Sequence, residues 1–329
     1  MKPVYINGIS KYIPSHSLNN EQLINHFNLD KEYVNAALIE KWFGIKQRCF
    51  AESDEQVSDM ACKAASPLLR DSNPDCLIFS AAGSDLIEPA TACIIQNKLG
   101  LDCPGVDVKN ACNSFVNAIQ MAYSLIVAEQ YETILVVSSE KLSSVIRPVH
   151  RSKDEFKRSL ASLTFGDGAA AVIVSGKKGI MELKYQSFCT KGEFWKSCMV
   201  PGGGSMHYLD PEKYYFEGDP AKLVLPLANV GYDMILKGLD KLDWKASELK
   251  KVITHQISEK TFQGLSHIMN VPLTDFTNVF HKYGNTGSAS VPIAFCEEFE
   301  KQTFQKGDKI LWLGLAAGIN ISVQFFEYQ

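Results

Sequence analysis

The first candidate for chemistry is a single cysteine at a change of secondary structure. Cys112 lies between a short apolar run, GVDV (105–108), and an amphipathic helical pattern that starts at Phe115. A helix N-terminus carries unpaired N–H groups and a partial positive charge, which favour the thiolate, the reactive form of cysteine. The position therefore predicts an easily ionised nucleophile on a strained turn, although a small buried cysteine remains the alternative from position alone.

Two further residues could serve such a nucleophile. His255 ends the apolar run KVITHQ (251–256), and Asn285 lies in the turn YGNTGS before an apolar helical pattern. Thioester chemistry at a cysteine needs proton transfer and donors for the developing oxyanion, and these side chains can supply both. Taken separately, His255 could be a paired core histidine and Asn285 a turn or cap residue.

The elements that must position these residues alternate between strands and helices. Apolar runs without a polar face predict strands of a sheet that is covered on both sides, which indicates an α/β layered fold. The predicted strands are 76–82, 105–108, 133–139, 169–175, 251–256 and 309–315, and the predicted helices are 57–70, 115–130 and 221–242.

The chain also carries a faint internal repeat. Cys112 follows the end of the first predicted strand by about thirty residues, and Asn285 follows His255 by about thirty. Equal spacings in two strand–helix frames indicate duplicated halves, which we place at residues 1–175 and 176–329.

Composition excludes several classes of protein. The 329 residues carry a formal net charge of −4, which argues against nucleic acid as the main partner. Apolar runs are too short to span a bilayer, and the first residues lack the apolar core of a signal peptide. Nine scattered cysteines without a CxxC pair, and histidines without ligand spacing, predict reduced thiols in the cytoplasm and no metal site.

Five segments together resemble the ketoacyl synthase III family of the thiolase superfamily. They are NACNSF at Cys112, THQIS at His255, YGNTGSASVPIAF at Asn285, TFGDGAAAVIV (164–174) and GDKILWLGLAAGINIS (307–322). The resemblance implies a five-layer αβαβα fold of two similar halves, and a homodimer. It also implies that Cys112 is acylated while His255 and Asn285 activate the second substrate. The substrates would be acyl-CoA or acyl carrier protein thioesters, with no further cofactor and no assigned cofactor-binding residue.

One segment separates two branches of that family. Glu88 stands in EPATA, which resembles the head-to-head acyl-CoA condensing thiolases of olefin biosynthesis, where a glutamate from the neighbouring subunit reaches the site. If no carboxylate leaves the donor, a base must remove an α-proton, and a carboxylate in an apolar pocket has a suitably raised pKa. A solvated loop carboxylate is the alternative.

We therefore expect a non-decarboxylative condensation of two fatty acyl-CoA molecules to a β-keto acid. A decarboxylative synthase that uses malonyl carrier protein, or a ketosynthase that forms pyrones or resorcinols, are the alternatives. A non-catalytic partner subunit is a more remote alternative, because such subunits typically lose the nucleophile or its partners, whereas Cys112, His255 and Asn285 are all present. Chain length, branching and the final product are not fixed by the sequence.

Some segments depart from the family pattern. LGLAAG (313–318) has alanines where related initiators have glycines. The resemblance implies that the N–H of Ala317 joins that of Cys112 in an oxyanion hole. Alanine can fill this role if the turn avoids positive φ. WFGIKQR (42–48) lacks the usual arginine and has Trp42 in its place, which leaves delivery by CoA or by carrier protein open. We interpret GDG (166–168) as a structural turn, because no lysine follows it as in a phosphate loop.

Overall fold

The computed structural model describes residues 2–219 and 221–329. Within these residues the chain forms thirteen strands and ten α-helices. The strands are β1 (Tyr5–Tyr12), β2 (His16–Asn19), β3 (Gln47–Phe50), β4 (Cys76–Ser80), β5 (Gly105–Val108), β6 (Thr133–Lys141), β7 (Asp167–Ser175), β8 (Met181–Phe194), β9 (Cys198–Met199), β10 (Glu217–Gly218), β11 (Leu249–Thr254), β12 (Lys309–Ala316) and β13 (Gly318–Tyr328). The helices are α1 (Asn20–His26), α2 (Ala36–Phe43), α3 (Val57–Ala65), α4 (Thr91–Leu99), α5 (Ser114–Val127), α6 (Lys153–Ser159), α7 (Ala221–Leu242), α8 (Glu259–Met269), α9 (Phe280–Tyr283) and α10 (Ser290–Phe299).

Nine strands form one hydrogen-bonded series, in the order β11-β12-β13-β8-β1-β7-β6-β4-β5. The series consists of two groups, which meet only where Tyr5 and Ile6 of β1 pair with Glu182 and Met181 of β8. In the first group β4 runs parallel to β5 and β6, and β7 is antiparallel to both β6 and β1. In the second group β11 is parallel to β12, and β13 is antiparallel to both β12 and β8.

The two groups therefore repeat one strand order. The strands β1, β4, β6 and β7 correspond to β8, β11, β12 and β13 in both neighbour and direction. The counterpart of β5 is reduced to a single parallel bridge between Val252 and Phe276. This repeat is consistent with duplicated halves, and β7 ends at Ser175, where we divide the chain.

Three apolar clusters separate five layers. One lies between α3, α4 and the first strand group, and another between the second group and α7 with α8. The central cluster packs α5 and α10 between the two groups. Because side chains alternate along a strand, Leu77 faces the outer cluster while Ile78 faces the central one. The predicted αβαβα fold is confirmed.

Element boundaries differ from the predictions in a few places. The helix predicted over 57–70 ends at Ala65, because Pro67 has no N–H to continue the helical hydrogen bonds and the chain turns into a short 3₁₀ segment. The strand predicted over 251–256 ends at Thr254, so His255 lies just beyond it. The long strand β8 was not predicted, since its polar and half-buried residues lack an apolar run. None of the helices described is both long and apolar enough to cross a bilayer.

Candidate active site

One cavity brings together four of the five residues singled out from the sequence. Cys112, His255, Asn285 and Ala317 all line a cavity of about 440 Å³. The rest of its wall is largely apolar and comes from α2, α7, α8 and β12. The fold therefore places the thiol, the imidazole and the amide around a shared space that suits an apolar substrate.

Cys112 lies on the predicted sharp turn. Ala111 has φ of 47°, the left-handed region that residues with a β-carbon rarely adopt, and α5 begins two residues after the cysteine. The N–H of Asn113 donates to the carbonyl of Asn110 at 3.0 Å, and the hydroxyl of Ser114 donates to the carbonyl of Ala81 at 3.1 Å. These bonds fix the turn between β5 and α5 and join it to the residue that follows β4.

The expectation of an easily ionised thiol is wrong for the resting protein. Burial, with a further contribution from the nearby Glu140 carboxylate, raises the pKa of Cys112 to about 12. The position before α5 does not offset the loss of solvent around the sulfur. Cys112 stays partly accessible through the cavity. Because its pKa is raised, it meets a substrate as a neutral thiol.

Glu140 is a buried carboxylate that the sequence analysis did not identify. Its oxygens accept hydrogen bonds from the N–H of Ala82 at 2.8 Å and from the N–H and hydroxyl of Ser288 at 3.2 and 2.7 Å. Burial raises the pKa of this carboxyl group. Glu140 therefore joins the loop after β4 to the turn that carries Asn285, across the two halves of the chain.

His255 is a buried imidazole with one ring nitrogen fixed. Its backbone N–H donates to the carbonyl of Leu313 at 3.0 Å, and its Nδ1 lies 2.7 Å from Oγ of Ser290. The Ser290 oxygen also accepts from the N–H of Gln256 at 3.5 Å. We assign the hydroxyl proton of Ser290 to Nδ1, which places the imidazole proton on Nε2, so that the ring can donate to a ligand. Burial lowers the pKa of His255 to about 3, so the ring is neutral.

Asn285 is held by the segment TFG (164–166). Its N–H donates to the carbonyl of Thr164 at 2.8 Å, and its carbonyl accepts from the N–H of Gly166 at 3.0 Å. Its side-chain Oδ1 accepts from the N–H of Gly287 at 2.9 Å, which leaves the Nδ2 hydrogens available as donors. A β-carbon at position 166 would come within 2.2 Å of the Tyr283 carbonyl, so only glycine permits this approach.

The GDG segment is structural, but it is not the turn that we predicted, because Asp167 and Gly168 begin strand β7. The Asp167 carboxylate accepts from the N–H of Ala51 and of Ser143, at 2.9 and 2.8 Å. Burial raises the pKa of this carboxyl group to about 6. The motif thus anchors two loops, while Gly166 supports Asn285.

Ala317 lies in the turn between β12 and β13. Its φ is not in the positive range, which meets the condition for alanine at this position. Its carbonyl accepts from Nδ2 of Asn320 at 3.1 Å. The role of its N–H in an oxyanion hole stays a prediction.

Glu88 is not among the residues that line the cavity. It is exposed in the loop between β4 and α4, beside Leu86 and Ile87, whose side chains are 51% and 87% exposed. Within a single chain the structure therefore does not bring this carboxylate to Cys112. An exposed apolar pair next to it is typical of a surface that meets another chain.

Polar groups in the cavity wall are few. Ser258, Lys260 and Thr261 lie at the first turn of α8 and could contact a polar carrier arm. Among the residues that the structure describes, no group of His, Cys, Asp and Glu side chains could hold a metal ion.

Comparison with known proteins relates the chain to one family. The family described as 3-oxoacyl-[acyl-carrier-protein (ACP)] synthase III matches residues 106–188, and its C-terminal counterpart matches residues 239–328. A β-ketoacyl-[acyl-carrier-protein] synthase III from Fusobacterium nucleatum is 31% identical over 97% of each chain. One from Clostridium novyi is 28% identical over 100% of each chain.

Solved structures from two branches share the fold. A crystal structure of OleA from Xanthomonas campestris with bound cerulenin has a TM-score of 0.88 and 25% identity, over 99% of this chain and 97% of that one. The 3-oxoacyl-(acyl carrier protein) synthase III FabH from Pseudomonas aeruginosa has a TM-score of 0.87 and 23% identity, over 99% of this chain and 98% of that one.

Proposed function

Because the chain belongs to the 3-oxoacyl-[acyl-carrier-protein] synthase III family and is a condensing acyltransferase, we propose that it joins two acyl thioesters through an acyl-Cys112 intermediate. The observation that carries this proposal is the meeting of Cys112, His255 and Asn285 in one apolar cavity. CoA or phosphopantetheine thioesters are the substrates, and no other cofactor takes part.

In the first step Cys112 attacks the carbonyl carbon of an acyl thioester. The new sulfur–carbon bond replaces the bond to the carrier thiol, and the cysteine proton leaves with that thiol. Because the resting pKa of Cys112 is about 12, the proton departs during the transfer rather than before it. The N–H groups of Cys112 and Ala317 stabilise the oxyanion that forms on the acyl oxygen.

In the second step two donors act on the other thioester. Nε2–H of His255 and Nδ2–H of Asn285 hydrogen-bond to its carbonyl oxygen, where negative charge develops as the enolate forms. Both donors are set by contacts on their far side, to Ser290 and Gly287, so they need little reorganisation during the reaction. The α-carbon then attacks the Cys112 thioester, and the cysteine sulfur leaves as a thiolate, which regains the proton that the base removed from the α-carbon.

The remaining requirement is a base for the α-proton, and we propose Glu88 from a partner copy of the chain. A histidine that carries its proton on Nε2 cannot accept another proton at the cavity, which supports a separate base. Glu88 is exposed beside Leu86 and Ile87, and β5 lies at the open edge of the strand series. These features support a homodimer built on the first half, in which the loop enters the neighbouring site. The product is a β-ketoacyl thioester, and its hydrolysis gives the β-keto acid.

The test is to supply long-chain acyl-CoA with and without a malonyl carrier protein. Formation of a β-keto acid, or of the ketone derived from it, without malonyl donor is the expected result. The variant Glu88→Gln should lose condensation and keep Cys112 acylation, with Glu52→Gln as a control at another exposed loop glutamate. Turnover that depends strictly on malonyl carrier protein would reject the head-to-head reaction, and unchanged turnover in Glu88→Gln would reject Glu88 as the base.

Decarboxylative condensation is the second candidate. It is favoured by the 31% identity to the Fusobacterium nucleatum synthase, and it needs no base at Glu88. The donor pair of His255 and Asn285 would then stabilise the enolate left by loss of carbon dioxide. All nine cysteines are free thiols, which supports the cytoplasmic location that we propose for either reaction.

A further inference from the structure

Two glycines inside neighbouring helices line the active-site cavity. Gly231 lies within α7 and Gly264 within α8, and both helices contribute to the cavity wall. Glycine is less favourable in a helix interior than any residue except proline, because its backbone loses the most freedom on folding. A glycine at such a position therefore calls for a structural or functional reason.

Close packing explains a third helical glycine but not these two. A β-carbon at Gly238 of α7 would lie 2.3 Å from the ring of Phe325, so a larger residue does not fit there. Among the side chains that the structure describes, the nearest atom at Gly231 would be Cγ2 of Ile321 at 3.8 Å, which is an ordinary contact. At Gly264, no atom of the described side chains lies within 4 Å. Within these described parts, the backbone thus admits a side chain at 231, which is buried, and at 264, which is exposed, and both positions border the cavity.

The wall around these glycines suits a hydrocarbon. Ile235 of α7 and Leu265, Ile268 and Met269 of α8 line the same part of the cavity. Ile268 is 37% exposed, so this part of the wall reaches the protein surface. A pantetheine arm carries two amides, and amides left without partners in an apolar passage lose several hydrogen bonds. Among the polar residues of the wall, Ser258, Lys260 and Thr261 lie at the first turn of α8, and Tyr232 lies next to Gly231.

We propose that Gly231 and Gly264 set the length of acyl chain that the enzyme accepts, by keeping open a passage between α7 and α8 along which the chain extends from Cys112. This inference rests on the proposed acylation of Cys112. It makes the substrates medium or long acyl chains whose ends lie between the two helices.

The experiment measures the rate of Cys112 acylation by intact-protein mass spectrometry for a series of saturated acyl-CoA molecules from acetyl to palmitoyl. Gly231→Leu and Gly264→Leu should slow acylation by the longest chains on the order of tenfold to a hundredfold, and should slow acetyl transfer at least tenfold less than that. Gln263→Leu is the matched control, because Gln263 is an exposed neighbour on α8 outside the cavity wall. It should behave as the wild type at every chain length.

Thermal unfolding of Gly231→Ala and Gly264→Ala tests separately whether helix packing requires glycine at these two positions. Both variants should melt at or above the wild-type temperature, because alanine favours the helix and the space is available. Clear destabilisation by alanine would overturn the proposal by showing that packing requires glycine.

The other outcomes are also decisive. Equal loss of acylation at all chain lengths in the leucine variants would place the carrier arm in this passage and reject the proposal, as would wild-type rates with palmitoyl-CoA. If wild-type protein accepted no acyl-CoA at all, the proposed function itself would fail. A chain-length preference that changes in Gly231→Leu and Gly264→Leu but not in Gln263→Leu would support both the proposed passage and the proposed function.

Discussion

The two halves of the chain share a strand order and divide the chemistry unequally. At the start of the central helix, the first half places Cys112 before α5, and the second half places Asn285 before α10. After the preceding parallel strand, the first half has Ala81 and the second has His255. In the proposed reaction, one half holds the first substrate by a covalent bond, and the other polarises the second substrate. Equivalent positions in the two strand groups carry different side chains, and three of these, Cys112, His255 and Asn285, line one cavity.

The largest loss of activity should come from a change in the first half, which carries Cys112. Cys112→Ala should abolish the acyl adduct on the protein, because no other thiol lies on the turn before α5. Mass spectrometry after incubation with an acyl-CoA measures the adduct directly. The control is Cys93→Ala, which removes an exposed cysteine and should retain the full adduct. An adduct that persists in Cys112→Ala would break the assignment of roles to the two halves.

Removing a donor from the polarising half should affect only the second step. Asn285→Ala should lower the condensation rate about 10²- to 10³-fold, which is typical for loss of one donor to a developing oxyanion. Acylation of Cys112 should stay within a few-fold of wild type. Single-turnover measurements of the two steps separate these outcomes. An equal loss in both steps would mean that Asn285 also serves the first half.

Ser290 offers a finer test of the same division. Ser290→Ala removes the hydroxyl that holds Nδ1 of His255, so the ring can carry its proton on either nitrogen. We expect condensation to fall about fivefold, with the loss in kcat rather than KM, since a hydrogen bond contributes about 1 kcal/mol. Ser290→Thr keeps the hydroxyl and should recover part of the rate. Full activity in the alanine variant would show that the tautomer is fixed by other contacts.

The smallest effect concerns stability against pH. Burial holds the pKa of His255 at about 3 in the folded protein, whereas an unfolded chain titrates near 6.5. Below that value the unfolded state binds the proton and the folded state does not, so stability is lost as pH falls. Between pH 6.5 and pH 5, wild type should lose about 2 kcal/mol more than His255→Asn. Urea unfolding at pH 7.5, 6.5 and 5 measures this, and parallel curves for the two proteins would contradict it.

Much of the fold and the principal residues could be predicted because their signals are local. Apolar runs located β4 to β7, the asparagine-flanked turn marked Cys112, and the glycine-rich turn marked Asn285. The contacts that hold the site were missed because they join distant parts of the chain. Glu140 reaches Ser288 and Ser290 reaches His255, and no spacing in the sequence connects them. The thiol pKa was predicted in the wrong direction because burial, which outweighs the helix terminus, follows from tertiary packing.

The unequal ends of the strand series bear on how copies could assemble. At one end the outer side of β11 is occupied by the bridge from Val252 to Phe276, while β5 at the other end carries exposed Val106. A chain in which one edge strand alone is free to pair can join a second copy only through the same edge of that copy, about a two-fold axis. Such pairing closes after two copies, so it cannot extend into a fibre.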